Sequence, residues 1–298
     1  MNRNTNTRPP VIAGGLAFEK EPFPIMKANY HTHTQRCKHA FGTEEMYIQS
    51  AIRAGFDTLG FADHTPWPYQ SGFVSPIRME PSELPGYVTT LRELKERYSD
   101  RLNVLIGLEC EYFPRYMDWL KEAKEAYNLD YLIFGAHYIG SEEDFPYVGY
   151  ACRDTDVMFR YADMCVQGMQ TGLYAYLAHP DLFMRRRGAW DDDCIAAAKA
   201  ICGCALSCGL PLEYNLNAHV IGGEECLFPR REFWELAAEM GNSVVIGYDA
   251  HQPQLLEDAA AEAEIRALLK SLCITPLGSI DLQLKKPQPC GQLQGGLL

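Results

Sequence analysis

The sequence predicts an α/β protein, a TIM-like barrel of seven strand–helix units, one unit short of the eightfold barrel. Three observations predict it. Short apolar runs alternate with longer stretches of helical period along most of the chain. At 298 residues the chain exceeds the commonest domain size yet suits one barrel with a large core. No internal linker interrupts the alternation.

The expected strands are Ile25–Tyr30, Thr58–Ala62, Val104–Leu108, Tyr131–Ala136, Tyr174–Ala178, Pro211–Tyr214 and Ser243–Gly247, all short apolar runs that suit buried parallel strands. Thr43, just before Glu44 and Glu45, caps a helix that runs to about Ala54 and stops at Gly55. From Ser82 to about Tyr98, Leu84, Tyr87, Val88, Leu91 and Leu94 recur at helical spacing. Further helices are expected near Tyr116–Tyr127, Asp154–Thr171, Asp191–Ser207, Pro229–Met240 and Gln254–Leu272. Right-handed crossovers would then wind the strands into a parallel sheet. Residues 1–24 and the tail 284–298, rich in Pro, Gly, Asn or Gln, are expected to be peripheral to a barrel over residues 25–283. The segment Pro66–Pro85, with five prolines, is a long βα loop on the face where barrel sites form, either a lid or a surface excursion.

With 27 Lys+Arg against 39 Asp+Glu, the net charge of −12 argues against long nucleic acid and anionic membranes as partners. A small phosphorylated substrate needs only a local positive site. The 11 Cys include no CxxC pair, so they read as free thiols filling apolar space rather than as disulfides or a structural zinc site. Residues 1–24 lack the apolar stretch of a signal peptide, and no apolar run reaches 18 residues, which points to a cytoplasmic protein. A homo-oligomer stays open.

The histidines carry the function. His31 and His33 end the first strand, on the same side of an extended chain, and His39 follows in the loop. His64 ends the second strand, Glu109 the third, His137 the fourth, His179 the fifth, and Asp249 with His251 the seventh. Seven of the eight His thus lie with two carboxylates just past strand C-termini, the face on which barrels build active sites. So many imidazoles exceed a four-ligand site and suit two or three divalent ions, Zn, Mn or Fe rather than Ca or Mg.

The segments HTHTQRCKHAFGTEE, GFADHTP, GLECEYFP, FGAHYI, LAHPDLF and GYDAHQP together resemble the PHP (polymerase and histidinol phosphatase) superfamily, above all its histidinol-phosphatase branch. The resemblance spans roughly Met26 to Leu256 and implies a distorted (β/α)7 barrel with a trinuclear site. It implies His31, His33, Glu109 and Asp249 at one ion, and Glu109 bridging to a second with His137 and His179. His39, His64 and His251 would hold the third. In two places the chain departs from the family pattern: Asn29 stands where the family usually has Asp, and no Arg follows the sixth strand before Arg230.

Ions so arranged would acidify a bridging water and neutralise phosphate charge. The expected reaction is hydrolysis of a phosphomonoester, L-histidinol phosphate foremost, by metal-bound hydroxide without a phosphoenzyme. Glu109 and His251 belong to that machinery, and Asp63 is a candidate general acid or ligand-orienting group. Arg36, Lys38, Arg153 and Arg185 are candidate phosphate holders, Arg36 preferred because it lies between His33 and His39. Glu111 could take a cationic substrate amine or orient a ligand, while Asn215 and Asn217 end the strand without a ligand and suit substrate recognition. His219 reads as a loop residue. Two rivals remain: a PHP-type phosphodiesterase or AMP phosphoesterase, and a non-catalytic metal-binding protein. No G-x-S-x-G, P-loop or G-x-G-x-x-G occurs to support other hydrolase or nucleotide-binding classes.

Overall fold

The computed structural model describes residues 27–222 and 227–282; the segments 1–24 and 284–298, and Ile25 of the first expected strand, lie outside them. The described strands form one parallel sheet in chain order: β1 (Ala28–Asn29), β2 (Thr58–His64), β3 (Asn103–Cys110), β4 (Tyr131–Gly135), β5 (Leu177–Ala178), β6 (Leu212–Asn215) and β7 (Val244–Gly247). Each falls on an expected apolar run. β5 is shorter than its run, yet Ala175 N bonds Leu132 O at 2.8 Å and Phe134 N bonds Tyr176 O at 3.0 Å, so pairing continues where regular geometry does not.

Asn29 helps to close the sheet into a near-complete barrel. Its Oδ1 accepts from Tyr248 N at 3.0 Å and His31 N at 3.2 Å, and its Nδ2 donates to His31 O at 3.1 Å and Thr32 Oγ1 at 2.8 Å. A carboxylate could accept the first two bonds but not donate the others. An isolated Thr32–Ala250 bridge continues the seam between the two edges.

The helices cover the outer face: α1 (Glu44–Arg53), α2 (Leu84–Arg97), α3 (Met117–Ala126), α4 (Val148–Ala151), α5 (Thr155–Gln170), α6 (Asp192–Cys208), α7 (Leu216–Ile221), α8 (Arg231–Met240) and α9 (Ala259–Ser271). Asp154 and Asp191 cap α5 and α6 as their positions imply. The helix expected over Gln254–Leu272 is instead a 3-10 turn, Pro253–Glu257, followed by α9. Asp258 caps Ala261 N at 3.0 Å and so restarts the chain there. The short α4 and α7 were not legible; α7 starts because Asn215 Oδ1 accepts from Ala218 N at 2.8 Å. Among the described residues no helix is long and apolar enough to cross a membrane, and the described cysteines form no disulfide with one another.

Two apolar regions result. The larger lies between sheet and helices, and a smaller one fills the barrel with Tyr30, Ala62, Tyr131, Ile133, Tyr176, Ala178 and Val245. Within it, Tyr131 Oη donates to Tyr30 O at 2.7 Å and lies 3.1 Å from Phe61 O, which joins β4 to the first two strands. Tyr131→Phe should cost about 1–3 kcal/mol in denaturant unfolding, because two buried carbonyls lose their donor. A loss below about 0.5 kcal/mol would show that neither carbonyl depends on it.

Candidate metal centre

The candidate ligands come from the C-terminal ends of six strands and the loops that leave them. The residue-by-residue register of β2 on β3 ends with His64 opposite Glu109, which puts an imidazole beside the central carboxylate. Glu109 has room because β4 carries Gly135 next to it; a Cβ there would strike the carboxylate. After β1, a 3-10 turn (Gln35–Cys37) and left-handed Lys38 bring the chain back so that His39 reaches the same cavity. His179 and Asp249 also have positive φ, 32° and 48°, a backbone state that costs non-glycine residues about 1–3 kcal/mol and persists where surroundings enforce it.

Glu109 is buried amid imidazoles. Its Oε1 lies 3.4 Å from His31 Nε2, 3.3 Å from His137 Nε2 and 2.9 Å from His179 Nε2. Its Oε2 lies 2.9 Å from His64 Nδ1 and 3.5 Å from His33 Nε2. Asp249 Oδ1 is 3.4 Å from His31 Nε2 and 3.0 Å from His33 Nε2. At the outer edge, His39 Nε2 and His251 Nε2 are 2.9 Å apart.

This arrangement fits divalent cations. The Nδ1 atoms of His39 and His251 face the carbonyls of Cys37 (2.6 Å) and Asp249 (2.9 Å), so each ring donates there and turns a lone pair toward the other. Two lone pairs that close require a proton or a cation between them. His31 Nε2, both ring nitrogens of His33 and Glu109 Oε2 are buried without hydrogen-bond partners. Burial would lower His31, but Glu213, Asp249 and Glu109 hold it well above the ordinary histidine value; His33 is raised likewise, chiefly by Asp249 and Asp63. Burial works to raise Glu109 and Asp249, yet the surrounding imidazoles hold both well below the carboxylate range. Burial also holds His64 down at about 3, which leaves it neutral and able to ligate. The cluster is short of positive charge at its centre.

A second layer orients these ligands, and it is mostly what sequence reasoning missed. Glu213 Oε2 accepts from His31 Nδ1 at 2.8 Å, fixing that ring with Nε2 inward. Alternation along β6 was the available signal, since Glu213 and Asn215 share a side. Glu111 Oε1 lies 3.2 Å from His137 Nδ1 and is itself clamped by Arg78, whose Nη2 and Nη1 sit 2.9 Å and 3.1 Å from the two carboxylate oxygens. Trp67 Nε1 adds a bond at 2.7 Å, and Arg78 Nε reaches Glu142 at 2.7 Å. The Pro66–Pro85 loop is therefore stitched down through a buried arginine rather than hinged as a lid. Nothing in the loop's composition marked Arg78.

Several expected substrate contacts are corrected. Arg36 points away from the cavity, with Nη2 3.4 Å from Glu44 Oε1 and 3.4 Å from Thr90 Oγ1, because the 3-10 turn directs it onto α1 and α2. Lys38 Nζ donates to Ser75 O at 2.7 Å, and Arg153 Nε to Arg186 O at 3.1 Å. Glu111 is buried and saturated, so it orients His137 and takes no substrate amine. Asn215 is buried under Asp249 (3.2 Å) and Glu213 (2.9 Å), and His219 lies outward, 3.5 Å from Glu264. Asp63 is buried beneath the site, accepting from Thr34 N at 2.9 Å and from the Thr34 hydroxyl, so it does not face a leaving group. Cys37 is no plain filler: its Sγ and ligand atoms of His39 and His251 all lie within 4.8 Å of one another. Burial would raise this thiol, but the surrounding imidazoles of His251, His33 and His39 pull it down to about 3.

What does face the open side is a cavity of about 490 Å³. His39, His64, Glu109, His137, Asp249 and His251 form its polar floor. Tyr138, Tyr147, Tyr150, Ile77, Ile221, Asn217 and Arg185 form its walls. The Arg185 guanidinium carbon sits 6.0 Å from the Tyr147 ring, 5.7 Å from Tyr150 and 5.7 Å from Phe228. Of the arginines and lysines among the described residues, it alone lines this cavity.

The PHP domain family matches residues 29–217 of the chain. A Deinococcus radiodurans protein named probable histidinol-phosphatase is 32% identical over 227 residues, covering 75% of this chain and 85% of that one. A Schizosaccharomyces pombe protein of the same name is 27% identical over 255 residues, 76% of this chain and 81% of the other. Among solved structures, the Lactococcus lactis histidinol phosphate phosphatase, complexed with Zn, L-histidinol and phosphate, superposes with a TM-score of 0.65 at 19% identity, covering 86% of this chain and 98% of that one. That likeness shows a shared fold.

Two outcomes are expected. Because His31 and His33 titrate above 6.5, metal must displace protons from them, so zinc affinity should climb with pH through the range above 6.5 and uptake should release protons. Calorimetry in buffers of different ionisation enthalpy measures both, and a flat affinity there would contradict it. Arg78→Met should cost roughly 3–5 kcal/mol by stranding buried Glu111 and Glu142, and Arg78→Lys should weaken metal retention since it lacks the two-pronged contact. If Arg78→Met unfolds within about 1 kcal/mol of the parent, the clamp is not structural.

Proposed function

The chain belongs to the PHP domain family, and from that premise we propose that it hydrolyses L-histidinol phosphate to L-histidinol and phosphate. It is a histidinol-phosphatase-like phosphomonoester hydrolase. One observation carries the choice of substrate. The histidine–carboxylate cluster and Arg185, an arginine without a carboxylate partner among the described residues, open into the same aromatic-walled cavity.

In this reading His31, His33, Glu109 and Asp249 would hold one ion, Glu109, His137 and His179 a second, and His39, His64 and His251 a third, zinc being the cation the imidazole-rich set suits. Divalent ions, when bound, acidify water and neutralise phosphate charge. The rest is the work of the chain. Glu109 sets the spacing of the floor, reaching five imidazoles with two oxygens. Glu213 and Glu111 keep protons on the far nitrogens of His31 and His137, so the inward nitrogens stay lone-pair donors. Arg185 offers its planar donor fork to the phosphate oxygens, and the tyrosine rings that cradle it hold it toward the floor. Tyr138, Tyr147 and Tyr150 present flat faces for the imidazole of the substrate. At about 490 Å³ the cavity is of a size for a small phosphorylated substrate.

The test compares initial rates on histidinol phosphate, AMP and an aryl phosphate after loading with zinc or manganese. Histidinol phosphate should be turned over with the highest kcat/KM. A higher value for AMP would assign the nucleotide substrate, and no turnover of any ester would leave a metal-binding protein. Arg185→Ala should lower kcat/KM roughly ten- to a hundredfold, the worth of a charge-assisted phosphate contact.

A further inference from the structure

Among the described residues, the sulfur of Cys37 is the one soft donor grouped with the candidate metal ligands. The residue ends the 3-10 turn after β1 and is wholly buried. Other buried thiols have ordinary neighbours: Cys110 Sγ, for instance, lies 2.8 Å from Thr65 Oγ1 and 3.5 Å from Leu108 O. Cys37 Sγ is grouped with ligand atoms of His39 and His251, and separately with those of His33 and Asp63, each group within 4.8 Å. His33 is an independent sign that a ligand belongs here. It is wholly buried, stacks on His251 with ring centroids 4.2 Å apart, and has no hydrogen-bond partner on either ring nitrogen.

Local geometry makes the same residue serve twice. The Cys37 carbonyl faces His39 Nδ1 at 2.6 Å and so fixes which nitrogen of that ring points to the cavity. Left-handed Lys38, at φ 65°, is what turns the chain tightly enough for this. The side chain of Cys37 then lies on the same side as the ring its carbonyl holds.

We propose that Cys37 is a thiolate ligand to an ion shared with His39 and His251, and that it biases this corner of the site toward zinc and against magnesium or manganese. The physical basis is ligand softness: a thiolate favours Zn(II) or Co(II), while Mg(II) and Mn(II) favour oxygen. On binding, the S–H bond breaks, the sulfur keeps the electron pair for the cation, and the proton leaves to solvent. The proposal extends the metal assignment above by one ligand and rests on that metal centre, not on the substrate.

The full chain, stripped by chelator and reloaded with Co(II), tests it. The wild type should show a near-ultraviolet thiolate-to-cobalt charge-transfer band. Cys37→Ser should lose that band, keep the visible ligand-field bands of the remaining cobalt, and bind one zinc equivalent roughly tenfold or more weakly. Manganese affinity should change less. Absence of the band in the wild type, or its survival in Cys37→Ser, would overturn the assignment. Zinc-edge X-ray absorption of the wild type needs no variant: a sulfur scatterer at about 2.3 Å is expected, and nitrogen and oxygen alone would refute it. None of these readouts involves ester hydrolysis, so a failed substrate assignment and a failed ligand assignment are told apart.

Discussion

The buried charge of Glu109 is the constraint around which the site is organised. A carboxylate at 1% exposure is expensive unless cations or donors surround it. Here five imidazoles from four strands or their exits lie within 3.5 Å, and the backbone of β4 recedes to a glycine to admit it. Those imidazoles crowd one another, with rings of His33 and His64 4.5 Å apart and of His137 and His179 4.8 Å apart. Neutral rings that close, all turned toward one carboxylate pair, make sense when cations share the space. The opposed shifts of His31 and His33, held up, and of Glu109 and Asp249, held down, are what protons do when they stand in for those cations.

Outward from that centre the structure spends its polar groups on holding rings still. Glu213 anchors His31, Glu111 anchors His137, and backbone carbonyls anchor His39 and His251. Arg78 carries the support one layer further, tying the proline-rich loop to the same carboxylate that orients His137. The strained backbone at His179 and Asp249 fits such a scheme, because closely packed neighbours can enforce conformations the chain would otherwise avoid. A rigid floor beneath an aromatic wall suits a reaction whose demand is placement of charge.

Much of this was legible in the chain. Strand-end histidines are readable because strand period and barrel polarity together say where such residues converge, and all seven do converge. Which of the four candidate cations enters the cavity was not: Arg185 was among them, but Arg36 was preferred. Arg36 lies between two ligands in sequence, yet a 3-10 turn rotates it onto Glu44 and Thr90, while Arg185, distant in sequence, is delivered by packing against Tyr147, Tyr150 and Phe228. Direction after an irregular turn depends on a few dihedral angles that no period encodes. Cys37 escaped for a related reason: a cysteine in a loop looks like any other until its neighbours are known.

The sequence by itself determined the strand–helix alternation, the end of the barrel that carries function, and the identity of the candidate ligands. These follow from local periodicity and residue chemistry, both of which are properties of neighbours along the chain. Only the tertiary structure decided which groups stand behind the ligands, which arginine enters the cavity, and that Asn29 helps to seam the first strand to the last. Those depend on contacts between residues such as Arg78 and Glu111, or Asn29 and Tyr248, whose separation in the chain is closed only when the sheet curls on itself.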